Sequence, residues 1–243
     1  MVALVNFNIK KYAPIIFIFV IVIVVSGIIV KQIINTISNY KTHPCQFLHN
    51  PKTGGTSLKN YIKDNFDNTC LSFHAHHDRP TENPISIIRD PVKRFKSAIK
   101  YVLKNGHDDR WNNISNKHQR CYDFLNSKTN ISDLFGDGHG NIDPTKRKKF
   151  ESVCLFDDIF HSQQKWTKNS KLLCYEKLDN FNNFIEENCG CTTDADLIPN
   201  TNDTHNMFDE FFNNPKLLRK YVNLQYKKDV EQYKDTCLTN EKL

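Results

Sequence analysis

Two short segments between residues 51 and 97 carry side chains suited to holding anions. The first, Pro51-Lys52-Thr53-Gly54-Gly55-Thr56-Ser57, puts an amine, three hydroxyls and two adjacent glycines into seven residues. Glycine has no side chain to keep an oxyanion away from the backbone N–H groups, and Lys52 adds a positive charge. The chain has only eight glycines, so a neighbouring pair marks a place where close backbone approach matters. The order departs from G-x-x-x-x-G-K-[ST], which disfavours an ordinary ATP or GTP loop, while a plain tight turn with a helix cap would use many of the same residues. In the second segment Arg89 precedes Asp90-Pro91, and Ser97 follows eight residues after the arginine. A guanidinium and a hydroxyl at that spacing can converge on a second phosphate. Taken singly, Arg89 also reads as half of a surface salt bridge and Ser97 as a helix serine bonded to its own i−4 carbonyl. Between the two segments lies His74-Ala75-His76-His77. Residues two apart in extended backbone share a face, so His74 and His76 can both point into a cleft as a general base or a substrate contact. They can equally be surface histidines, and metal ligation would need further ligands that the spacing does not supply.

The surrounding pattern supplies elements to position these groups. Cys45-Gln46-Phe47-Leu48-His49 reads as a short strand, and Leu58, Tyr61, Ile62 and Phe66 recur at helical spacing from Thr56 onward. The first anion segment therefore sits where a strand hands over to a helix, at the positive end of its dipole. A second unit repeats the arrangement. Pro84-Ile85-Ser86-Ile87-Ile88 is a compact strand, and Val92, Phe95, Ile99, Val102 and Leu103 make one helical face, with Lys93, Arg94, Lys96 and Lys100 elsewhere around it. Asp90 is placed to cap that helix and Pro91 suits its first position. Residues 105–150 are polar, contain Gly136-Asp-Gly-His-Gly140 and Lys146-Arg147-Lys148-Lys149, and read as a surface excursion. A further buried strand is predicted at Lys171–Tyr175, and a long helical pattern broken by Pro215 from Phe208 to Tyr233. Strands alternating with helices predict an α/β domain with a mainly parallel central sheet flanked by helices.

Lys52-Thr-Gly-Gly-Thr-Ser, together with Ile-Ser-Ile-Ile-Arg89-Asp-Pro-Val-Lys-Arg-Phe-Lys-Ser97, resembles the paired 5′-phosphosulfate and 3′-phosphate loops of the sulfotransferase superfamily. The resemblance implies a P-loop-NTPase-like sulfotransferase domain and 3′-phosphoadenylyl sulfate (PAPS) as co-substrate. Carried over by position, Lys52, Thr53, Gly54, Gly55, Thr56 and Ser57 would hold the 5′-phosphosulfate, with Arg89 and Ser97 on the 3′-phosphate. Phe73-His74-Ala75-His76 and Tyr101-Val-Leu-Lys-Asn-Gly-His-Asp-Asp are similar to the heparan sulfate and uronyl 2-O-sulfotransferase branch, in which the corresponding histidines are catalytic. Asp158-Ile-Phe-His161-Ser-Gln-Gln, Leu-Leu-Cys-Tyr-Glu176-Lys-Leu and Tyr226-Lys-Lys-Asp229 are similar to later segments of the family, and the similarity thins across residues 110–150.

The chain of 243 residues has 33 basic and 27 acidic side chains, a formal +6, but four of the lysines and none of the acids precede residue 45. What remains is nearly balanced, which excludes a strongly basic nucleic-acid binder. From Ala13 to Val30 the chain is apolar and uncharged. At about 1.5 Å per residue a helix of that length crosses a bilayer, and the run is longer than the core of a cleaved signal peptide. The expected organisation is a cytosolic tail at 1–12, a transmembrane signal anchor at 13–34, a short stem at 35–44 and a lumenal domain at 45–243, oriented by Lys10 and Lys11. All eight cysteines follow the anchor. An even number in an oxidising compartment predicts disulfides whose pairing the sequence does not reveal. Cys189-Gly190-Cys191 is a poor metal signature, and no metal is expected. Sequons at Asn113, Asn130 and Asn202 suit a secretory glycoprotein, although triplets of this kind also arise by chance in an Asn-rich chain.

These features together lead to the expectation of a single-pass type II Golgi membrane enzyme. It would transfer a sulfuryl group from PAPS to a hydroxyl of a glycan, with a glycosaminoglycan-like chain and its uronic acid 2-O position as the leading acceptor. The alternatives are a sulfotransferase acting on another glycan, protein or lipid hydroxyl, an inactive membrane-tethered carbohydrate-binding relative, and a nucleotide-dependent kinase, which the loop order disfavours.

Overall fold

The computed structural model describes residues 23, 25–27, 29–31, 45–74, 83–105, 116–155, 158–196 and 208–239, without the side chains of Thr56, Asn116 and Lys117. The chain divides into two units, Met1–His43 and Pro44–Leu243. In the first, the described residues between 23 and 31 are helical, and Ile23, Val25, Ile29 and Val30 are exposed. No helix among the described residues is long and apolar enough to cross a membrane. The expected anchor at 13–34 lies mostly outside the described residues, as do the tail, the stem, His76, Asn113 and Asn202.

The second unit is α/β. Four parallel strands, β1 (Cys45–Leu48), β2 (Leu71–His74), β3 (Pro84–Ile88) and β4 (Lys171–Cys174), lie in the order β2-β1-β3-β4. The central strands are buried on both faces, which is why Ile85 to Ile88 read as a continuous apolar run with one serine. Ser86 satisfies its hydroxyl by donating to Leu48 O at 2.9 Å. On one face Cys45, Phe47, Leu71, Ile85, Ile87 and Leu173 pack with α1 (Gly55–Asn65) and the later helix at Phe181–Cys189. In sequence order the remaining helices are α2 (Pro91–Asn105), α3 (Asn116–Asn126), α4 (Ile131–Phe135), α5 (Pro144–Cys154), α6 (Gln163–Thr167), α7 (Phe181–Cys189), α8 (Pro215–Gln225) and α9 (Lys227–Tyr233).

A second core joins α2 to α3, α4, α5 and α8. Phe95 is its hub, with the rings of Phe135, Phe150, Phe160, Tyr221 and Tyr226 around it at 5.3 to 6.3 Å. This corrects the expectation of a surface excursion over 105–150. Tyr122, Leu125, Ile131, Leu134, Phe135 and Phe150 are all buried, and residues 106–115 alone of that stretch lie outside the described residues. The apolar residues there are sparse, but each short helix contributes two or three, and the Cys121–Cys154 disulfide ties α3 to α5. Asn130, one of the sequon asparagines, caps α4 by accepting from Ser132 N and Asp133 N.

All eight cysteines are paired, as Cys45–Cys189, Cys70–Cys191, Cys121–Cys154 and Cys174–Cys237. The first two fasten the starts of β1 and β2 to the end of α7. The fourth fastens the end of β4 to the turn after α9.

Candidate functional site

Strand order decides where a ligand can sit. From β1 the chain runs through α1 to β2 on one side, and it returns to β3 on the other side of β1. The crevice beyond the C-terminal ends of β1 and β3 is thus the point where strand order reverses, the usual ligand position in an open parallel sheet. Lys52 follows β1 and Arg89 follows β3, so both candidate anion segments open into that one crevice.

The turn after β1 is built around close approaches. Thr53, buried, donates its hydroxyl to Asn50 O at 2.6 Å. Lys52 has φ 66, a left-handed conformation uncommon for a residue with a Cβ, and Gly54 follows with φ 82. A Cβ on Gly54 would lie 2.8 Å from the Tyr175 ring, and one on Gly55 would lie 1.9 Å from the His49 ring. Both positions therefore require glycine for space, and Gly54 requires it for conformation as well. Gly54 occupies the N-cap of α1 and offers no capping side chain, so the first N–H groups of the helix remain available to an anion. Ser57 is half-buried in the first turn; Thr56 is placed there by its backbone.

Arg89 joins the two segments. Its Nη1 donates to Lys52 O at 3.3 Å, its guanidinium lies 4.5 Å from the centre of the Tyr175 ring, and its buried Nε has no hydrogen-bond partner among the described residues. The Tyr175 ring thus packs on Gly54 and under Arg89 together. Lys52 Nζ lies 3.9 Å from the centre of the Tyr101 ring on α2. Burial, followed by the charges of Arg89, Arg94 and Lys104, pulls the Lys52 amine down to about 8. The charges acting on Lys52 are all of its own sign, and an anion in the crevice would relieve them.

Arg94, read from the sequence as lying away from the apolar face of α2, is buried all the same. Its Nε donates to Pro51 O at 2.9 Å and its Nη2 to Ile159 O at 3.2 Å. Burial lowers its pKa, and Asp229 partly offsets that. Asp90 caps α2 as expected, accepting from Lys93 N at 2.8 Å. Ser97 is half-buried in the second turn of α2, one turn beyond Arg94. The direct contacts among the described residues join Lys52 to Arg89 and do not include Ser97.

No family model, curated protein or solved structure matches this chain. What the site can do therefore rests on its own geometry.

His74 ends β2, one strand away from the Lys52 turn, and its carbonyl accepts from His49 N at 3.0 Å. Its Nε2 is 3.2 Å from Ser72 Oγ on the same strand face. His74 therefore shares the C-terminal edge of the sheet with the anion segments, while its partner in the motif, His76, is not described.

Sequence reasoning missed the groups that hold this site in place. Asn50, Gln163 and Asp229 are buried polar residues, and Gln163 accepts from Arg89 N at 2.9 Å while lying 74 residues from it in the chain. Their local signals were weak. Asn50 precedes a proline, and Gln163 and Asp229 lie in segments that reading by spacing alone had not connected. Arg94 had one usable signal, since small, buried Ala98 follows one turn later on the same side of α2.

Proposed function

We propose that this protein is a sulfotransferase that moves a sulfuryl group from PAPS to a hydroxyl of a glycan, within a P-loop-like α/β domain. The observation that carries the reading is the meeting of Lys52 and Arg89 at the switch point. Two cations, an uncapped helix start and a glycine pair meet at one switch point, and the buried Nε of Arg89 has no hydrogen-bond partner among the described residues. A donor with phosphate groups on the 5′ and 3′ positions of its ribose suits that arrangement, since each group meets its own cation.

When bound, PAPS supplies the sulfuryl group. The acceptor oxygen forms a bond to sulfur, the bond from sulfur to the 5′-phosphate oxygen breaks, and adenosine 3′,5′-bisphosphate leaves. Lys52 and the α1 N-terminus stabilise the negative charge that grows on the departing 5′-phosphate. Arg89, in the turn before α2, holds the 3′-phosphate, with Ser97 on α2 assigned to it by the motif. His74, which ends β2, or His76 takes the acceptor proton. The proposed setting is a type II Golgi membrane protein with its catalytic domain in the lumen, with a glycosaminoglycan-like acceptor.

Incubating the purified protein with sulfur-labelled PAPS and a panel of desulfated glycosaminoglycans tests this reading. Label in polymer supports it. Binding of PAPS without transfer to any acceptor would favour the carbohydrate-binding relative, and no binding would remove the donor assignment altogether. His74→Ala is expected to lower turnover by about 10²-fold or more and leave donor binding intact; unchanged turnover would put the base elsewhere.

A further inference from the structure

Gln163 is buried at the start of α6, outside both anion segments, yet its side-chain amide touches the ends of both central strands. Its Oε1 accepts from Arg89 N at 2.9 Å and from Asn50 Nδ2 at 3.1 Å, and its Nε2 donates to Arg89 O at 2.9 Å. The orientation of the amide is dictated by chemistry. A backbone N–H only donates and a backbone carbonyl only accepts, so reversing the amide would break both bonds to Arg89. The Arg89 peptide groups are thus paired as another strand would pair them, by one side chain.

The strap is anchored at both ends. Asn50 Nδ2 also donates to Ile87 O at 3.0 Å, and Asn50 O accepts the Thr53 hydroxyl that closes the Lys52 turn. Behind Gln163, buried Asp229 on α9 accepts from Gln163 N at 2.8 Å, Ser162 Oγ at 2.5 Å and Gln164 N at 3.2 Å. One continuous path of hydrogen bonds therefore runs from α9 through Gln163 to Arg89 on one branch and to Asn50 and Thr53 on the other.

We infer that Gln163 is the positioning residue that sets the distance between the Lys52 turn and Arg89, and so selects ligands whose two anionic groups match that distance. The inference rests on the sulfotransferase reading, and it makes a statement that reading does not. A nucleotide engaging both cations senses Gln163 through both branches, whereas one engaging the Lys52 turn alone senses it only through Asn50, and so less.

The test compares the full-length protein with Gln163→Glu and Gln163→Leu by calorimetric titration with adenosine 3′,5′-bisphosphate and with adenosine 5′-monophosphate, alongside thermal unfolding of each protein. Glu keeps the size and can still accept from Arg89 N, but it presents a second acceptor to Arg89 O. Both variants are expected to lose about tenfold or more in affinity for the bisphosphate, and less than about threefold for the monophosphate. Equal losses for the two ligands, or no loss, would overturn the inference, because a residue that only supports the fold weakens both alike. If Leu prevents folding, the Glu variant alone decides by the same ratio. Failure of the unaltered protein to bind the bisphosphate would overturn the sulfotransferase reading itself, and this inference with it.

Discussion

The C-terminal edge of the sheet has two dissimilar regions. At its centre, beyond β1 and β3, a set of hydrogen bonds holds the polar residues: Thr53 by Asn50, Asn50 and Arg89 by Gln163, Arg94 by Pro51 and Ile159, and Gln163 by Asp229. At its margin, the described end of β2 offers His74, whose ring meets Ser72 two residues back on its own strand. The difference teaches where preorganisation is placed. The cations proposed to hold the donor sit in the turns just beyond the buried central strands, and the group proposed to move a proton sits on an edge strand.

Replacing Lys52 tests the rigid side most severely. Lys52→Ala is expected to lower turnover by about 10²- to 10³-fold in the labelled-sulfate assay, and a loss below fivefold would remove it from the reacting end. Arg89→Ala should act on the same crevice differently. The KM for PAPS is expected to rise about 10- to 100-fold with a smaller change in turnover, as befits a charged contact to a part of the donor that does not react. An effect on turnover alone would reverse the roles given to the two segments.

Acidity offers a gentler probe of the centre. In the ligand-free protein Lys52 gives up its proton near about 8, whereas in an unfolded chain it keeps it to about 10.4. Between those values the unfolded state binds more protons, so this group's contribution to stability rises with pH across that window. An anion requires the charged amine, and its affinity should therefore fall as pH rises through 8, by at most about tenfold per pH unit. Titrating adenosine 3′,5′-bisphosphate from pH 7 to 9.5 measures the fall, and Lys52→Arg should flatten it because arginine stays charged throughout. The smallest effect belongs to the margin. His74→Ala should change the free energy of unfolding by no more than about 0.5 kcal/mol, as read in a denaturant titration, and a change several times larger would show that the β2 end is as firmly built as the centre.

The elements that carry the anion segments were legible because each announces itself locally. Ile85 to Ile88 form an uninterrupted apolar run, Asp90-Pro91 is a cap followed by a first-turn proline, and the Gly54-Gly55 pair marks a crowded turn. Strand β2 was harder to see. Leu71-Ser72-Phe73-His74 is four residues long and alternates only twice, too little to separate from a loop. The helices between 116 and 154 escaped for a related reason, since their buried aromatics are spread thinly among polar residues and are buried by meeting one another, Phe95 and Tyr221 across the fold. Gln163 and Asp229 lay in segments that carry the family resemblance, but nothing in the sequence assigned either residue a role. Their importance comes from partners 66 and 74 residues distant, and the strand order that brings those partners together is a long-range property. Arg94 shows the limit of patterning by charge, because carbonyl groups of Pro51 and Ile159 can house a guanidinium where a helical wheel would leave it in water.

The two bridges to α7 impose an order on biogenesis. Cys45 and Cys70 leave the ribosome early, but their partners Cys189 and Cys191 lie 144 and 121 residues later. The first two strands must therefore wait with exposed thiols while most of the domain is still being made. In that interval they are open to capture by each other or by Cys121, and the nascent protein depends on whatever shields or reshuffles those sulfurs until the last third of the chain arrives.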